Sequence, residues 1–377
     1  MTLPPVTLEL SGERLTATYR VAGDEASVRA TLEHVRVEQT IEVPVDLVAD
    51  DDIRRALVGR VEAVRVVAQE VCEADVSYAV EVSGFELPQL LNLLFGNSSL
   101  LPGIRLVDVT LPPTILERFR GPRFGVDGLR ALLGADDRPL LATALKPMGL
   151  PLAALAAMAG DFAANGMDLI KDDHGFASQP FAEFRERVQR CASAVADAND
   201  RHGTKARYLP SLNVPADRLG EAARFAVDAG AGGVMVLPGL HGYDAVRALA
   251  EDDDLAVPIM GHPSLLGSFV VSPASGIDHG LVLGTFMRLA GVDVSVFPNV
   301  GGRFAFSEAE CARIAAALTA DLGSLPRAFP APAGGMSLER VPDMLALYGR
   351  DVVLLIGGEL HRGDRRERTR ALREAIA

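Results

Sequence analysis

The chain has 377 residues, of which 49% are hydrophobic, and its formal net charge at pH 7 is −13. The length fits two domains with a large apolar core, and the negative charge argues against nucleic acid and anionic membranes as partners. The three cysteines, Cys72, Cys191 and Cys311, are far apart and show neither a disulfide framework nor a zinc-ligand spacing. Because the chain lacks a signal peptide and an apolar run of about 18 residues, we expect a soluble cytoplasmic protein.

Residues 1–125 mix strand and helix signals without a regular alternation. Strands are predicted at Thr7–Leu10, Leu15–Tyr19, Val64–Val71 and Val76–Val82, and helices at Glu25–Leu32 and Pro88–Phe95. Pro88 suits the first turn of its helix, where a missing N–H costs nothing, and Gly96 suits the end of the helix. We therefore predict an N-terminal α+β (ferredoxin-like) domain at 1–125, joined to the rest by a connection at Arg118–Val126.

From about residue 135 onwards, short apolar runs of strand length alternate with Ala/Leu/Arg-rich helical stretches. The eight runs are Pro139–Lys146, Gly166–Asp173, Lys205–Asn213, Gly232–Gly239, Ala256–His262, Val292–Asn299, Pro330–Met336 and Asp351–Gly358. The clearest intervening helices are predicted at Leu152–Asn165, Phe181–Asp197, Asp217–Ala229, Tyr243–Asp252 and Glu308–Leu322. Eight such units predict an α/β fold, a (β/α)8 TIM barrel at 126–377. An open doubly wound sheet is the alternative, but it usually carries a G-x-G-x-x-G turn that this sequence lacks.

Active sites of such barrels lie at the carboxyl ends of the strands, so the polar and glycine residues there are candidates. They are Lys146, Lys171, Asp172, Asp173, His174, Ser211, Asn213, His262, Asn299, Arg303, Gly334, Gly335, Gly357, Gly358 and Glu359. Taken singly, each has an ordinary structural explanation, such as a solvated lysine or a glycine turn. Together they suit an enzyme site, because glycine N–H groups can bind an anion, carboxylates a cation, and a crowded lysine can act as a base.

The order and spacing of these residues resemble the RuBisCO large-chain superfamily over about residues 15–365. The strongest match is Lys171-Asp172-Asp173 followed by Ser178-Gln179-Pro180-Phe181, which resembles the family's Lys-Asp-Asp-Glu and Ser-Gln-Pro-Phe segments. Further matches are Glu38, Gly96-Asn97, Lys146-Pro147, His262, His279-Gly280, Gly334-Gly335 and Gly357-Gly358.

The resemblance implies an active site shared within a homodimer. Its catalytic residues would be Glu38, Asn97, Lys146, His174, His262 and Arg303, with Glu38 and Asn97 completing the site of the partner subunit. Asn299 and the pairs Gly334-Gly335 and Gly357-Gly358 would bind the substrate and its phosphate. Lys171, carbamylated by CO2, would bind Mg²⁺ together with Asp173 and His174. The alternative for Lys171 is an ordinary ammonium group paired with Asp172 or Asp173.

Several positions depart from the family pattern. His174 replaces a glutamate ligand, and imidazole suits Zn²⁺, Fe²⁺ or Mn²⁺ better than Mg²⁺. Either the metal differs, or His174 acts as an acid or base and no metal is tightly bound. Other family residues of catalysis and of one phosphate site are replaced by Met148, Pro263, Val296, Arg303 and Ala333.

These departures indicate a non-carboxylating, form IV RuBisCO-like enzyme. Our first hypothesis is a carboxy-lyase that decarboxylates or cleaves a 3-oxo sugar acid of the 3-oxo-isoapionate type, or its 4-phosphate, through an enediolate. The second is an enolase or isomerase of a methylthio-ribulose or diketo-methylthiopentyl phosphate in methionine salvage. The third is a non-catalytic binding descendant, which an inconsequential Lys146→Ala substitution would support.

Overall fold

The computed structural model describes residues 8–302, 304 and 306–377, and the chain forms two compact units. One unit contains residues up to 119 together with 267–282, and the other contains 120–266 together with 283–377. The strands are β1 (Arg14–Ala22), β2 (Arg60–Ala68), β3 (Val71–Ala79), β4 (Ile104–Thr110), β5 (Leu140–Leu145), β6 (Leu169–Asp172), β7 (Arg207–Leu209), β8 (Val234–Val236), β9 (Ile259–Gly261), β10 (Gly276–Ile277), β11 (Val294–Pro298), β12 (Phe329–Ala333) and β13 (Val353–Leu355).

The helices follow the same chain order. The α-helices are α1 (Glu25–Glu38), α2 (Asp51–Ala56), α3 (Leu87–Phe95), α4 (Pro113–Leu116), α5 (Gly125–Leu133), α6 (Leu152–Ala164), α7 (Phe184–His202), α8 (Leu219–Asp228), α9 (Pro238–His241), α10 (Tyr243–Glu251), α11 (Gly267–Val270), α12 (Phe286–Leu289), α13 (Glu308–Thr319), α14 (Val341–Tyr348) and α15 (Arg365–Ala375). Short 3-10 helices lie at Val45–Leu47, Val80–Ser83, Asn97–Leu100, Ala216–Arg218, Asp253–Leu255, Leu338–Arg340 and Gly358–His361, and a π-helical turn at Leu281–Thr285. Among the described residues, no helix combines the length and apolar character that crossing a membrane requires.

The first unit is built on a five-stranded sheet in the order β10-β4-β1-β3-β2. The neighbours pair antiparallel, except that β10 runs parallel to β4. Alternate residues of β1, including Leu15 and Tyr19, are buried, as expected for a strand with one face in the core. The Tyr19 hydroxyl donates to the Leu94 carbonyl of α3 at 2.6 Å, which attaches that helix to the sheet.

The sequence predictions for this unit are confirmed for most elements and wrong in two details. Residues 8–10 form no strand, and Thr7 lies outside the described residues. The predicted strands at Val64–Val71 and Val76–Val82 lie several residues too late along the chain. The reason is the turn between β2 and β3, where Glu70 adopts a φ of 53° without the glycine that usually marks such a turn.

The segment 267–282 belongs to the first unit, although the sequence analysis assigned all of 126–377 to the barrel. Within it, β10 pairs with Arg105 and Leu106 of β4. The buried guanidinium of Arg105 donates to the carbonyl oxygens of Val270 at 3.2 Å and Ser275 at 3.3 Å. These contacts are far apart in sequence, so local patterning gave no indication of them.

The second unit contains the predicted (β/α)8 barrel. Its eight parallel strands pair in the order β7-β6-β5-β13-β12-β11-β9-β8, and a bridge between Ser211 and Met235 joins β7 to β8. Seven of the eight predicted apolar runs contain one of these strands, and the eighth, Pro330–Met336, overlaps β12, which begins one residue earlier. The five predicted helices correspond to α6, α7, α8, α10 and α13. The fold prediction is therefore confirmed for the barrel.

The barrel interior is filled with apolar side chains, as expected for a closed sheet of parallel strands. The interior residues include Leu140, Ala142, Leu169, Leu209, Met235, Met260, Val294, Val296, Phe329, Ala331, Val353 and Leu355. Helix α5, which the sequence analysis did not predict, packs Val126, Leu129 and Leu133 against the same cluster. The barrel is thus a packed core, and polar chemistry is confined to the ends of its strands.

Candidate functional site

The predicted residues Lys146, Lys171, Asp173, His174 and His262 all lie at the carboxyl ends of barrel strands. Lys171 lies in β6, two residues after the interior residue Leu169, so strand alternation turns its side chain inwards. Lys146, Asp173, His174 and His262 directly follow β5, β6 and β9. Parallel strands of a barrel end at the same face, which explains why these residues come together.

Asp173 is the centre of this cluster. Its Oδ2 lies 3.2 Å from Lys146 Nζ, and its Oδ1 lies 3.2 Å from His174 Nδ1 and 4.0 Å from Lys171 Nζ. Burial alone would raise the pKa of Asp173, but the hydrogen bond with His174 and the charges of Lys171 and Lys146 together hold that pKa well below its usual range. Asp173 is therefore a carboxylate that compensates two lysines.

Lys171 is almost fully buried, with 2% of its surface exposed. Its Nζ donates to the Asp172 carbonyl oxygen at 3.0 Å. Burial lowers the pKa of Lys171 to about 8, with Lys146 adding to the effect, although Asp173 and Asp172 oppose it. Such a desolvated amine is more readily available as a nucleophile or base than an exposed lysine.

Asp172, the other carboxylate of the motif, has a structural role. It is fully buried and accepts hydrogen bonds from Arg187 Nε at 3.1 Å, the Tyr208 hydroxyl at 2.8 Å and the Ser211 backbone N–H at 3.1 Å. These three donors use both carboxylate oxygens. Asp172 thus holds the end of β6 against β7 and α7, and directs the adjacent Lys171 and Asp173 towards the mouth.

His174 and His262 stack on each other, with ring centroids 4.5 Å apart and an interplanar angle of 11°. His262 Nδ1 lies 2.9 Å from the Ser264 hydroxyl and accepts from the Ser264 backbone N–H at 3.3 Å. In the neutral ring this leaves the proton on Nε2. Burial first, and then electrostatic interactions with Lys171 and His174, lower the pKa of His262 well below 6.5.

The donor set limits which metal the site could hold. Among the described residues, no group of three or more His, Cys, Asp and Glu side chains is gathered as a metal cluster. Asp173 and His174 supply one carboxylate and one imidazole, and Asp173 already contacts Lys146. A carbamate on Lys171 would add the third ligand group, so these residues fit a divalent cation once CO2 has added to that amine.

The predicted glycine pairs lie at two places on the barrel mouth. A Cβ on Gly357 would lie 3.6 Å from Lys146 Nζ, which places this glycine beside the predicted catalytic lysine. A Cβ on Gly334 or Gly358 would meet no described atom within 4 Å. Both pairs therefore have backbone exposed to a ligand, as anion binding requires.

Asn299, predicted to bind substrate, is fully buried. Its Oδ1 accepts from the Tyr348 hydroxyl at 2.6 Å, and its Nδ2 lies 3.1 Å from Met336 Sδ. A direct contact with substrate would require these interactions to be given up. In this structure Asn299 instead supports the loop that follows β11.

Two other predicted residues, Glu38 and Asn97, lie in the first unit. Asn97 Nδ2 donates to Glu38 Oε1 at 2.8 Å, so the structure brings this pair together. The remaining predicted residue, Arg303, lies outside the described residues.

Sequence reasoning did not assign roles to Ser264, which binds His262, or to Arg340, which contacts two glycine loops. Neither residue belongs to a recognisable motif. A stronger sequence signal for the site was the rarity of lysine: the chain has three, Lys146, Lys171 and Lys205, and two of them end adjacent barrel strands.

Comparisons with known proteins give a consistent result. A family model described as the ribulose bisphosphate carboxylase large chain, catalytic domain, matches residues 125–365. A 5-methylthioribulose-1-phosphate isomerase from Rhodospirillum rubrum is 40% identical over 92% of this chain and 91% of the relative. A 2,3-diketo-5-methylthiopentyl-1-phosphate enolase from Geobacillus kaustophilus is 33% identical over 92% of this chain and 87% of the relative. The crystal structure of a Rubisco-like protein from Rhodopseudomonas palustris matches with a TM-score of 0.88 and 37% identity, covering 96% of this chain and 97% of the other.

Proposed function

This chain belongs to the RuBisCO large-chain family, in its RuBisCO-like branch, and we propose that it isomerises a monophosphorylated ketose through an enediolate. The observation that carries the proposal is the cluster of Lys146, Lys171, Asp173, His174 and His262 at one end of the barrel. Acid and base groups within a few ångströms of each other suit the removal and return of a proton beside a carbonyl group. The relative from Rhodospirillum rubrum, named as an isomerase of 5-methylthioribulose 1-phosphate, supports this choice of reaction.

In the proposed reaction, Lys146 moves the proton at carbon. Its Nζ lies 3.2 Å from Asp173 Oδ2, which holds the amino group at the mouth. In its neutral form the amine takes the proton from one carbon, and the ammonium so formed returns a proton to the neighbouring carbon. His262 donates from Nε2 to the oxygen on which negative charge develops, because Nδ1 is engaged by Ser264. His174 lies against the His262 ring and keeps it in this orientation.

The substrate phosphate is proposed to bind at the glycine pairs. Gly334 and Gly358 are exposed, and a Cβ on either would meet no described atom within 4 Å, so there is room for a ligand beside their backbone. Backbone N–H groups at such glycines bind oxyanions without needing a charged side chain. The loss of family residues at Pro263, Val296 and Ala333 supports one phosphate group rather than two.

A divalent cation would be held by a carbamate on Lys171 together with Asp173 and His174. When bound, it would supply positive charge that stabilises an enediolate. Carbamate formation on Lys171 is supported by the burial of its amine at the barrel mouth. His174 offers nitrogen where Mg²⁺ prefers oxygen. We therefore propose that Mn²⁺ or Zn²⁺, in addition to Mg²⁺, supports activity.

Decarboxylation or carbon–carbon cleavage of a 3-oxo sugar acid is the second candidate. It is favoured by one feature, the two lysines that flank Asp173, since Lys146 and Lys171 could bind a substrate carboxylate. Loss of CO2 from such an acid yields the same type of enediolate. A third reaction of the family, the enolisation performed by the relative from Geobacillus kaustophilus, needs the same groups.

An assay with three alternative substrates distinguishes these reactions. The purified protein is incubated in D2O with 5-methylthioribulose 1-phosphate, with the diketo-methylthiopentyl phosphate, or with a 3-oxo sugar acid, and products are followed by NMR. Isomerisation predicts a new ketose phosphate with deuterium at carbon and no CO2. CO2 release from the sugar acid alone would replace our first proposal by the second.

A comparison of two lysine substitutions tests whether Lys146 is required for catalysis. Lys146→Met should abolish turnover, whereas Lys205→Met, at an exposed position, should leave it unchanged. If the wild-type protein turns over none of the three substrates, the protein is a non-catalytic descendant.

We further propose that the active form is a homodimer in which Glu38 and Asn97 complete the partner subunit's site. The support is their mutual hydrogen bond of 2.8 Å together with the family's shared-site arrangement. Mixing two inactive variants, Lys146→Met and Asn97→Ala, should restore part of the activity if sites are shared. Two inactive variants that stay inactive after subunit exchange would contradict this.

A further inference from the structure

Arg340 connects two loops that follow different barrel strands. Its Nη1 donates to the Gly335 carbonyl oxygen at 2.9 Å, and its Nη2 donates to the Val300 carbonyl oxygen at 2.8 Å. Gly335 follows β12 and Val300 follows β11. A planar guanidinium has parallel donors that can bind two carbonyls at once, whereas a lysine ammonium is a single point charge.

The two loops also touch directly, and glycine is required where they do. A Cβ on Gly302 would lie 2.8 Å from the Gly334 carbonyl oxygen, and a Cβ on Gly335 would lie 2.8 Å from Gly302 Cα. Gly335 also has a φ of 65°, which L side chains rarely adopt. The backbones are therefore closer than any other residue type would allow.

The base of this junction is buried and polar. Asn299 donates its backbone N–H to the Ala333 carbonyl oxygen at 2.9 Å, and its carbonyl accepts from the Gly302 N–H at 3.3 Å. Below it, the Tyr348 hydroxyl donates to Asn299 Oδ1 at 2.6 Å. The Asn299 side chain thus connects the loop after β11 to helix α14, which begins directly after Arg340.

We propose that Arg340 is a positioning residue that fixes the loop at 300–302 against Gly334 and Gly335, so that the backbone at this junction is preorganised to donate N–H groups to one oxyanion. Arg340 itself donates to backbone carbonyls and need not touch the ligand. Its charge also lies near the junction, since a Cβ on Gly301 would be 3.5 Å from one of its nitrogens. Identifying the oxyanion as a substrate phosphate rests on the proposed function, but the connection between the loops does not.

The experiment compares Arg340→Lys, which keeps the charge but loses the two-pronged donor, with Arg340→Gln, which loses both. Arg350→Lys and Arg350→Gln are the controls, because Arg350 contacts the Asp137 carbonyl oxygen and neither glycine loop in the described contacts. Two quantities are measured for each protein: amide hydrogen exchange at 300–302 and 334–336, and the dissociation constant of inorganic phosphate. Neither measurement needs an active enzyme.

Both Arg340 variants should exchange faster in both loops and bind phosphate about tenfold more weakly, because binding the anion must then also order the two loops. With a turned-over substrate, KM should rise more than kcat falls, since positioning affects binding of the anion. If Arg340→Lys behaves like the wild type, the charge alone matters and the positioning role is overturned. Unchanged exchange in both variants would overturn it too. Faster exchange in a protein that binds no phosphate would leave the loop connection standing and contradict the phosphate site of the proposed function.

Discussion

The imidazole rings of His174 and His262 lie nearly parallel, with centroids 4.5 Å apart, although the residues are 88 positions apart in the chain. This contact holds the His262 ring in the plane in which Nδ1 accepts from the Ser264 N–H. The two residues therefore act as a pair: the Ser264 backbone orients His262, and the adjacent Asp173 orients His174. It is a relationship between the ends of β6 and β9.

The first prediction concerns this pair. His262→Phe keeps an aromatic ring in the stack but removes both nitrogens, so kcat should fall about 100-fold or more, within the usual contribution of a positioned acid or base. The free energy of unfolding should change little because the ring remains. Steady-state kinetics and urea unfolding measure the two effects. His202→Phe, at an exposed position in α7, is the matched control and should leave kcat unchanged. Full activity of His262→Phe would remove His262 from the catalytic set.

The second prediction is that Lys171 takes up CO2. The reaction joins the amine nitrogen to carbon and releases one proton, and the product replaces a buried amine by an oxygen-bearing group. Incubation with ¹³C-bicarbonate and a divalent cation, followed by chemical trapping and mass spectrometry, should label the peptide that contains Lys171. The peptide with exposed Lys205 should stay unlabelled, and Lys171→Met should abolish the signal. No label at saturating CO2 would favour the alternative, an ammonium paired with Asp173 at 4.0 Å.

The third prediction concerns Asp293, a fully buried carboxylate in the barrel unit. It accepts backbone N–H bonds from Phe124, Gly125 and Ile259, each at 2.8 Å. Asp293→Asn turns one acceptor into a donor that faces an N–H group, so the free energy of unfolding should fall by about 2–3 kcal/mol. Asp228→Asn, an exposed position in α8, should change stability by less than about 0.5 kcal/mol. Equal effects of the two substitutions would contradict the assigned role.

The same residue predicts a pH dependence of stability. Burial raises the pKa of Asp293 to about 6, against the opposing effect of its backbone hydrogen bonds. The pKa of an aspartate in the unfolded chain is about 3.9, so between pH 3.9 and about 6 the folded state binds a proton that the unfolded state does not. The free energy of unfolding therefore falls as pH rises through this range, by up to about 1.4 kcal/mol per pH unit. The stability difference between wild type and Asp293→Asn should therefore shrink from pH 4 to pH 6.5. A difference that grows over this range would show that the pKa is lowered instead.

The fourth prediction compares two buried serines of the barrel, Ser295 in β11 and Ser211 two residues after β7. Ser211 and Ser295 are both fully buried, but Ser295 Oγ donates to the Leu283 carbonyl oxygen at 2.6 Å, whereas Ser211 Oγ has no partner among the described residues. Ser211→Ala should raise the free energy of unfolding by about 1 kcal/mol, and Ser295→Ala should lower it by about 1 kcal/mol. Thermal or urea unfolding of the two variants measures the sign of each change. A destabilising Ser211→Ala would mean that its hydroxyl is bound.

The amino-acid sequence was sufficient for the parts of the fold that depend on local patterns. Each barrel strand is a short, continuously apolar run bounded by turn residues, so its position can be identified without knowing its neighbours. Counting eight such runs, with helices between them, led to the barrel. Because all parallel strands of a barrel end at one face, the polar residues that end the runs also indicated which side chains would meet, including Lys146, Asp173 and His262.

Other features were decided only by the tertiary structure. The return of 267–282 to the first unit depends on Arg105, which lies more than 160 residues away from its carbonyl partners. The burial of Asn299 against Tyr348, and the contact of Arg340 with Val300 and Gly335, join segments that no shared motif connects. Hydrophobic periodicity reports which face of one element is buried, but it does not report which element covers that face. The partner of each side chain therefore emerges from packing among distant segments, which is where this candidate site acquires its geometry.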